Sequence, residues 1–360
     1  MQMIYRWGLI GTLLLCSGCA SMTAAQRRAA HPGEKMPRVD TRYNFGGFHE
    51  LGNWYKGNLH LHTTLSDGEL DPVATTELYR KKGYDFVALT DHIGGFQEKD
   101  KKTFKPLVYP LEQLNKPNFR VLPGMEYNTK RSEETIHFIV VGPGYDQRLK
   151  EGQDLSEAVK KWWDRGAFVF LAHPHWSLNG TAVLEDLTFL PAVEVFNNAT
   201  ARSEGLRGNS EMYWDRLLRK SRPVLGVAAD DTHRPDEQAG GGWVMVKAAA
   251  LTEEEILKAL RNGQFYFSSG PTLKDVFLDT EGNVHVRCSP VKVIRALSTV
   301  GKVVQVKAKP GRSLREAVIM RDPKRLDTSQ LPFVRVECVD KHGQTAWSQG
   351  ALMQSEPRNE

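Results

Sequence analysis

The sequence predicts an α/β fold, a parallel sheet wrapped by helices, followed by a small antiparallel β-sandwich. Three observations predict it. Seven apolar, strand-like segments lie between residues 57 and 230 and alternate with helix signals. Several of these segments end in His, Asp or Glu. Beyond about residue 264 the texture changes to short alternating runs separated by turn residues. A chain of 360 residues can build one large domain, or one large and one small.

The first segment is an address. Residues 1–19 read MQMIYRWGLIGTLLLCSGC, with Arg6 ahead of a short apolar stretch and small residues leading to Cys19. That is signal-peptide anatomy, shorter than a bilayer-spanning helix. Leu15-Cys16-Ser17-Gly18-Cys19 resembles a bacterial lipobox, with Cys16 where Leu is usual. The expectation is a signal peptide over residues 1–18, a lipid on the Cys19 thiol and a polar tether over residues 19–50. The product would be an exported bacterial lipoprotein, membrane-anchored and facing the periplasm or the cell exterior. Ala20 is compatible with the outer membrane of a Gram-negative host. An ordinary signal peptide cut nearby would instead release a free secreted protein.

In the body, strands are predicted at residues 57–62, 85–92, 120–127, 136–142, 167–173, 192–197 and 223–230. Asp71-Pro72 opens a helix that Gly83 ends, and residues 154–165 and 209–220 have helical periodicity. Alternating β and α with apolar strands argues for parallel pairing, and seven strands suit a barrel, placed at residues 51–263. Thr252-Glu253-Glu254-Glu255 is a capping box ahead of residues 256–261, with Gly263 as the stop. Runs at residues 276–278, 284–288, 303–306, 317–320 and 333–338 then read as a sandwich over residues 264–360. Cys288 and Cys338 share strand faces with valines. They read as buried thiols, or as a disulfide in an oxidising compartment. Trp162, Trp163 and Trp243 read as packing residues.

Composition excludes some classes. Net charge is +5 and no basic block is interleaved with aromatics, so no dedicated nucleic-acid surface is indicated. Outside the leader, whose Cys16 and Cys19 are spaced as CxxC, the Cys are Cys288 and Cys338, too few for a disulfide scaffold. There is no phosphate-binding glycine loop, no GxSxG elbow and no kinase signature. No protein partner is predicted.

The chemistry-bearing residues stand mostly at the carboxyl ends of predicted strands, the rim where parallel barrels build their sites. His60-Leu61-His62 puts two imidazoles on one side of a strand. Ser66-Asp67-Gly68 follows in a turn, then Thr90-Asp91-His92 and Gly124-Met125-Glu126. His137 starts the fourth strand, Ala172-His173-Pro174-His175 ends the fifth and Asp230-Asp231-Thr232-His233 ends the seventh. Burying so many ionisable groups together is costly unless they pair or bind cations. Imidazole with carboxylate suits Zn, Mn or Fe.

In that order these motifs resemble the polymerase and histidinol phosphatase (PHP) superfamily, over roughly residues 54–250. Tyr55-Lys56-Gly57-Asn58-Leu59-His60-Leu61-His62-Thr63 and Ala229-Asp230-Asp231-Thr232-His233 are most similar to its CehA/McbA-type branch. The resemblance implies a distorted (β/α)7 barrel with two or three divalent metal ions on its C-terminal rim. It implies one metal on His60, His62, Glu126 and Asp231, and a second on Glu126, as a bridge, with His137 and His173. A third would take Asp67, His92 and His233. Every ligand position that can be matched holds a ligating residue type. Asp91 and Asp230 are expected to orient neighbouring imidazoles or to cap local backbone. His175, Asp230 and Arg234 are the candidates for catalytic contacts, with Arg202 and Arg207 as further anion contacts. Glu194 and Asn197 are expected near the cavity.

The implied activity is hydrolysis of a small phosphorylated substrate by a hydroxide bridging the metals. Carboxyl-ester, carbamate or amide cleavage by a CehA-like centre is the alternative. A third reading is a non-catalytic surface protein that holds metal structurally.

Overall fold

In the computed structural model, which describes residues 37–93, 107–131, 133–145, 153–322 and 324–353, one long sheet threads through most of the chain. Its first strands are β1 (Asn53–Asn58), β2 (Phe86–Leu89), β3 (His92–Ile93), β4 (Arg120–Arg131) and β5 (Glu134–Val141). They are followed by β6 (Phe168–Leu171), β7 (Ala192–Asn197), β8 (Leu225–Ala229), β9 (Trp243–Ala248) and β10 (Phe265–Ser268). Between them lie α1 (Pro72–Lys81), α2 (Leu111–Leu114), α3 (Leu155–Asp164), α4 (Thr181–Asp186), α5 (Asn198–Glu204), α6 (Glu211–Arg219), α7 (Pro235–Gln238) and α8 (Glu253–Arg261). The fold is α/β, a distorted barrel followed by an antiparallel sandwich. The signal peptide, Cys19 and most of the expected tether lie outside the described residues. No described helix is long and apolar enough to cross a membrane.

The barrel strands run β1-β2-β4-β5-β6-β7-β8. β2 and β6 are buried along their whole length, as expected of strands covered on both faces. The pairs β1/β2, β2/β4, β6/β7 and β7/β8 are parallel. One expectation is corrected: β5 is antiparallel to both β4 and β6. β4 runs on to Arg131 and β5 begins at Glu134, leaving no room for the crossover that parallel pairing requires. β1 also ends earlier than expected, at Asn58. There the Asn58 side chain takes over from the ladder, donating to the Gly242 carbonyl at 2.8 Å and accepting from the His60 N–H at 3.2 Å. Beyond it, the seam between the first and last barrel strands is closed by the chain that follows them. The Asp231 N–H donates to the His60 carbonyl at 2.9 Å, and the His62 N–H to the Thr232 carbonyl at 3.1 Å.

Helix ends follow the sequence signals. Asp71 caps α1 by accepting from the Ala74 N–H, and Gly83 behind it has φ +77°. Asp154 caps α3 through the Glu157 N–H, and Thr252 caps α8 through the Glu255 N–H. α3 buries Val159 and Trp162 against the barrel, while Trp163 lies under the Arg261 guanidinium at 3.9 Å.

The C-terminal region comprises β11 (Leu273–Leu278), β12 (Val284–Val291), β13 (Val293–Leu297), β14 (Val303–Lys307), β15 (Leu314–Ile319), β16 (Phe333–Val339), β17 (Thr345–Trp347) and β18 (Ala351–Leu352). β11, β12 and β15 make a separate antiparallel sheet. Val276, Val284, Val286 and Cys288 of that sheet share a core with Ile294, Val334, Val336 and Cys338 of the long one. The two thiols are free, buried and hydrogen-bonded to one another, which holds the Cys288 thiol low and pushes the Cys338 thiol up. The long sheet does not break at the expected boundary, because β10 pairs with β9 on one side and with β17 on the other. The chain from Val39 onward forms one compact unit. Arg335 of β16 reinforces the junction. Its guanidinium is 1% exposed and bonds Asp215 at 2.7 Å, Glu337 at 2.6 Å and Glu211 at 3.1 Å. These partners answer its desolvation, which unpaired would be costly.

Candidate metal centre

The rim of the barrel gathers imidazoles from separate stretches of chain around one carboxylate. Glu126, on β4, is 1% exposed. Its Oε2 lies 3.1 Å from His60 Nε2, 3.1 Å from His62 Nε2 and 3.2 Å from His92 Nδ1. Its Oε1 lies 2.5 Å from His137 Nδ1 and 3.1 Å from His173 Nε2. Asp231 Oδ1 faces the same side, 3.2 Å from His60 Nε2 and 3.0 Å from His62 Nε2. Farther out, Asp67 meets His62, His92 and His233 at 3.4–3.5 Å. The structure thus brings together all nine residues expected as ligands. They fall into the sets His60/His62/Glu126/Asp231, Glu126/His137/His173 and His62/Asp67/His92/His233, each with donor atoms within 4.8 Å of one another.

Local structure explains why these side chains converge. His60 and His62 follow β1 in extended chain, so their rings share a side while Leu59 and Leu61 are fully buried in the packing. β5 runs backwards, which places its start at this rim and brings His137 there opposite Asn128. His173 has φ +26° and Asp231 has φ +54°. Both stand in left-handed backbone that non-glycine residues seldom adopt, a strain concentrated at functional sites.

Most rings are held by one nitrogen so that the other faces the centre. His60 Nδ1 is 3.0 Å from Glu194 Oε1, and His173 Nδ1 is 3.1 Å from Ser177 Oγ. His233 Nδ1 is 3.0 Å from the Asp231 carbonyl, whereas His92 Nδ1 is shared between Asn128 Oδ1 at 3.0 Å and Glu126 Oε2 at 3.2 Å. Such partners fix ring orientation and raise ligand basicity. Fully buried Glu194 also accepts from the His173 N–H at 2.8 Å and from Asn197 Nδ2 at 3.0 Å, so one carboxylate positions two of the rings. Glu194→Gln should therefore weaken metal binding about 10- to 100-fold while the fold persists. Metal titration of the purified variant with circular dichroism checks this, and unchanged affinity would contradict it.

The electrostatics are those of a compressed array of ion pairs. Burial pushes the Glu126 carboxyl up, but His92, His137 and His60 outweigh it and hold it well below the usual range. Asp231 is likewise held down, by His60 and His62 against burial. Burial lowers His60, yet Asp231, Glu194 and Glu126 lift it far above an ordinary imidazole. His137 goes the other way, because burial outweighs Glu126.

The residues fit divalent metal by two tests. The donors are imidazole and carboxylate, the mixture that suits Zn, Mn or Fe. Moreover, His62 Nε2, both ring nitrogens of His137 and Asp231 Oδ1 are buried without a hydrogen bond of good geometry, the close approaches of His137 to Glu126 and of His62 to Asp231 being misaligned for one. Buried polar atoms are rarely left so, and a cation would satisfy them. An adjoining cavity of about 530 Å³ is lined by seven of the nine expected ligands together with Asn128, Thr135, Trp176 and Ser177.

Other expected site residues lie elsewhere. Asp230 accepts from the N–H groups of Gly240, Gly241 and Gly242 and from the Tyr79 hydroxyl, so it anchors backbone and does not face the cavity. Its burial pushes the carboxyl up to about 6 against those bonds. Asp91 ties down the loop after β1 through Thr63 and Ser66 and holds no imidazole. His175 Nδ1 contacts the Asn209 carbonyl at 2.8 Å, outside the cavity lining. The strand alternation that would have aligned it with His173 stops at Leu171. Arg234 faces Glu237 at 3.5 Å with its side chain half exposed, and neither it, Arg202 nor Arg207 lines the cavity. Trp176, Asn128 and Ser177 were not singled out from sequence. Each is a single residue in no recurring pattern, and only the distance from Ser177 to His173, four positions in the chain, offers a local signal.

No family model matches the chain. It is 35% identical over 82 residues to the DNA polymerase/3'-5' exonuclease PolX of Bacillus subtilis, a match spanning 21% of this chain and 14% of that protein. Among solved structures it is similar to a two-domain protein of Bacteroides vulgatus described as containing a PHP-like metal-dependent phosphoesterase. That match has 15% identity, 90% coverage of both chains and a TM-score of 0.45. It is also similar to a structure from Chromobacterium violaceum described as an amidohydrolase, at 14% identity, 57% coverage of this chain, 96% of that one and a TM-score of 0.37.

Proposed function

We propose that this chain is a metal-dependent hydrolase of the PHP type that cleaves phosphate esters. The observation that carries the reading is Glu126, a buried carboxylate with one oxygen toward His60 and His62 and the other toward His137 and His173. A carboxylate so placed can bridge two cations. His60, His62, Glu126 and Asp231 would hold one, Glu126, His137 and His173 a second, and Asp67, His92 and His233 with His62 a third. Divalent ions there would supply Lewis acidity and a water acidic enough to attack near neutral pH. The chain's own residues orient the rings, exclude solvent behind them and leave the cavity as the approach for substrate. Asn128, Thr135 and Ser177 offer neutral hydrogen-bonding groups there. Lipid attachment at Cys19 belongs to the same proposal and rests on its lipobox-like sequence alone.

One observation favours the second reading, cleavage of a carboxyl ester, carbamate or amide. Among the described residues no Lys or Arg lines the cavity, so none of them supplies a fixed cation for a phosphoryl group. The two readings separate when metal-loaded protein is offered aryl phosphate mono- and diesters against an aryl carboxyl ester. Phosphate-ester turnover exceeding carboxyl-ester turnover supports the first, and the reverse order replaces it with the second.

A further inference from the structure

Trp176 is out of keeping with the other tryptophans. Of the seven described, Trp162, Trp214 and Trp347 are buried, and Trp54, Trp163 and Trp243 lie beneath the cationic groups of Lys247, Arg261 and Lys56. Trp176 stands in the mouth of the metal centre and is 39% exposed. It is nonetheless fixed. Its Nε1 donates to Glu204 Oε1 at 2.8 Å, and its ring meets His173 edge-on at 4.9 Å between centroids and His137 at 6.1 Å. The loop carrying it is pinned at its far end by Asn179 Nδ2 on the Thr135 carbonyl and by the Gly180 N–H on Glu134, both at 2.8 Å. A large apolar ring held rigidly beside a reaction centre and left partly open to solvent loses little entropy on accepting a planar group.

We propose that Trp176 is a stacking platform for a planar aromatic portion of the substrate, an aryl or nucleobase group attached to the ester that the centre hydrolyses. The proposal rests on the phosphate-ester reading and narrows its substrate class. The composition of the cavity supports this. Asn128 and Thr135 line it with Trp176 and offer neutral polar groups to a heterocycle edge, and among the described residues no Lys or Arg lines it to select a second anionic group.

The test is binding, which needs no turnover. Phenylphosphonate and methylphosphonate are titrated calorimetrically into Mn²⁺-loaded wild type, Trp176→Ala and Trp176→Phe. Wild type should bind phenylphosphonate about tenfold more tightly, the scale of one aromatic stack. Trp176→Ala should lose that preference, with methylphosphonate affinity moving less than about threefold, and Trp176→Phe should keep most of it. Equal wild-type affinities would overturn the platform alone. So would equal weakening of both ligands in Trp176→Ala, which would make the indole a support for His173 and His137. Binding of neither phosphonate by wild type would overturn the phosphate-ester reading and this proposal with it.

Discussion

Glu126→Gln should cut turnover by about a thousandfold or more, some 4 kcal/mol of lost transition-state stabilisation, and should lower the bound metal per chain. The size of the effect follows from position. Both carboxylate oxygens of Glu126 are engaged, and five imidazoles lie within 3.2 Å of them. An amide keeps the shape and the burial but carries no charge and presents only one acceptor oxygen. It cannot bridge two cations. The fold should survive, because the amide fills the same buried space on β4. Metal analysis, circular dichroism and turnover on one preparation check the three parts together. His60→Ala or Asp231→Ala should behave similarly but touch only one of the three ligand sets for Asp231, or only the same set for His60. Full metal content with normal turnover in Glu126→Gln would remove the bridging role and the proposed centre with it.

Much of this centre was legible because its chemistry uses a few residue types at strand ends. HxH, Asp67, His92, Glu126 and the Asp231/His233 pair are each weak signals taken singly, and their combination in order made the set readable. The direction of β5 was not legible. Glu134–Val141 is an apolar run that reads the same in either direction, and no Asn-Gly or Asp-Gly marks the hairpin before it. The reversal also explains why His137 stands in the first half of its strand, whereas His60, His62, His173, Asp231 and His233 follow theirs. Asp230 and His175 show the opposite failure. Both carry suitable side chains next to ligands, but a backbone turn at Asp231 and another at His173 send them elsewhere. Side-chain period holds only while a strand remains a strand. β9 and β10 went unassigned as strands, yet they join barrel to sandwich, and pairing between distant segments leaves no local trace.

Metal affinity should rise steeply between about pH 6.5 and pH 9, with the set containing His92 and His233 filling last at neutral pH. Burial alone would lower His92, but Glu126 and Asp67 lift it to about 9. Burial would lower His233 too, and Asp67 and Asp231 lift it to about 9. A ring must lose its proton before it can ligate, so at pH 7 each weakens binding by about a hundredfold relative to its neutral form. Up to two protons should leave these rings when that set fills, measurable by calorimetry in buffers of different ionisation enthalpy. The metal-free fold should respond in the opposite sense. Groups whose folded pKa is raised contribute stability that is complete below about 6.5 and is lost as pH climbs through about 9. The depressed carboxylates Glu126, Asp231 and Asp67 contribute stability above their ordinary pKa near 4, which is lost on acidification. Metal-free protein should therefore unfold at lower temperature at pH 9 than at pH 6.5. The gap between metal-loaded and metal-free Tm should widen over the same range, because ligand stabilisation grows as Kd falls. A gap that stayed constant from pH 6.5 to pH 9, with no proton released on loading, would mean that His92 and His233 are already neutral or do not ligate.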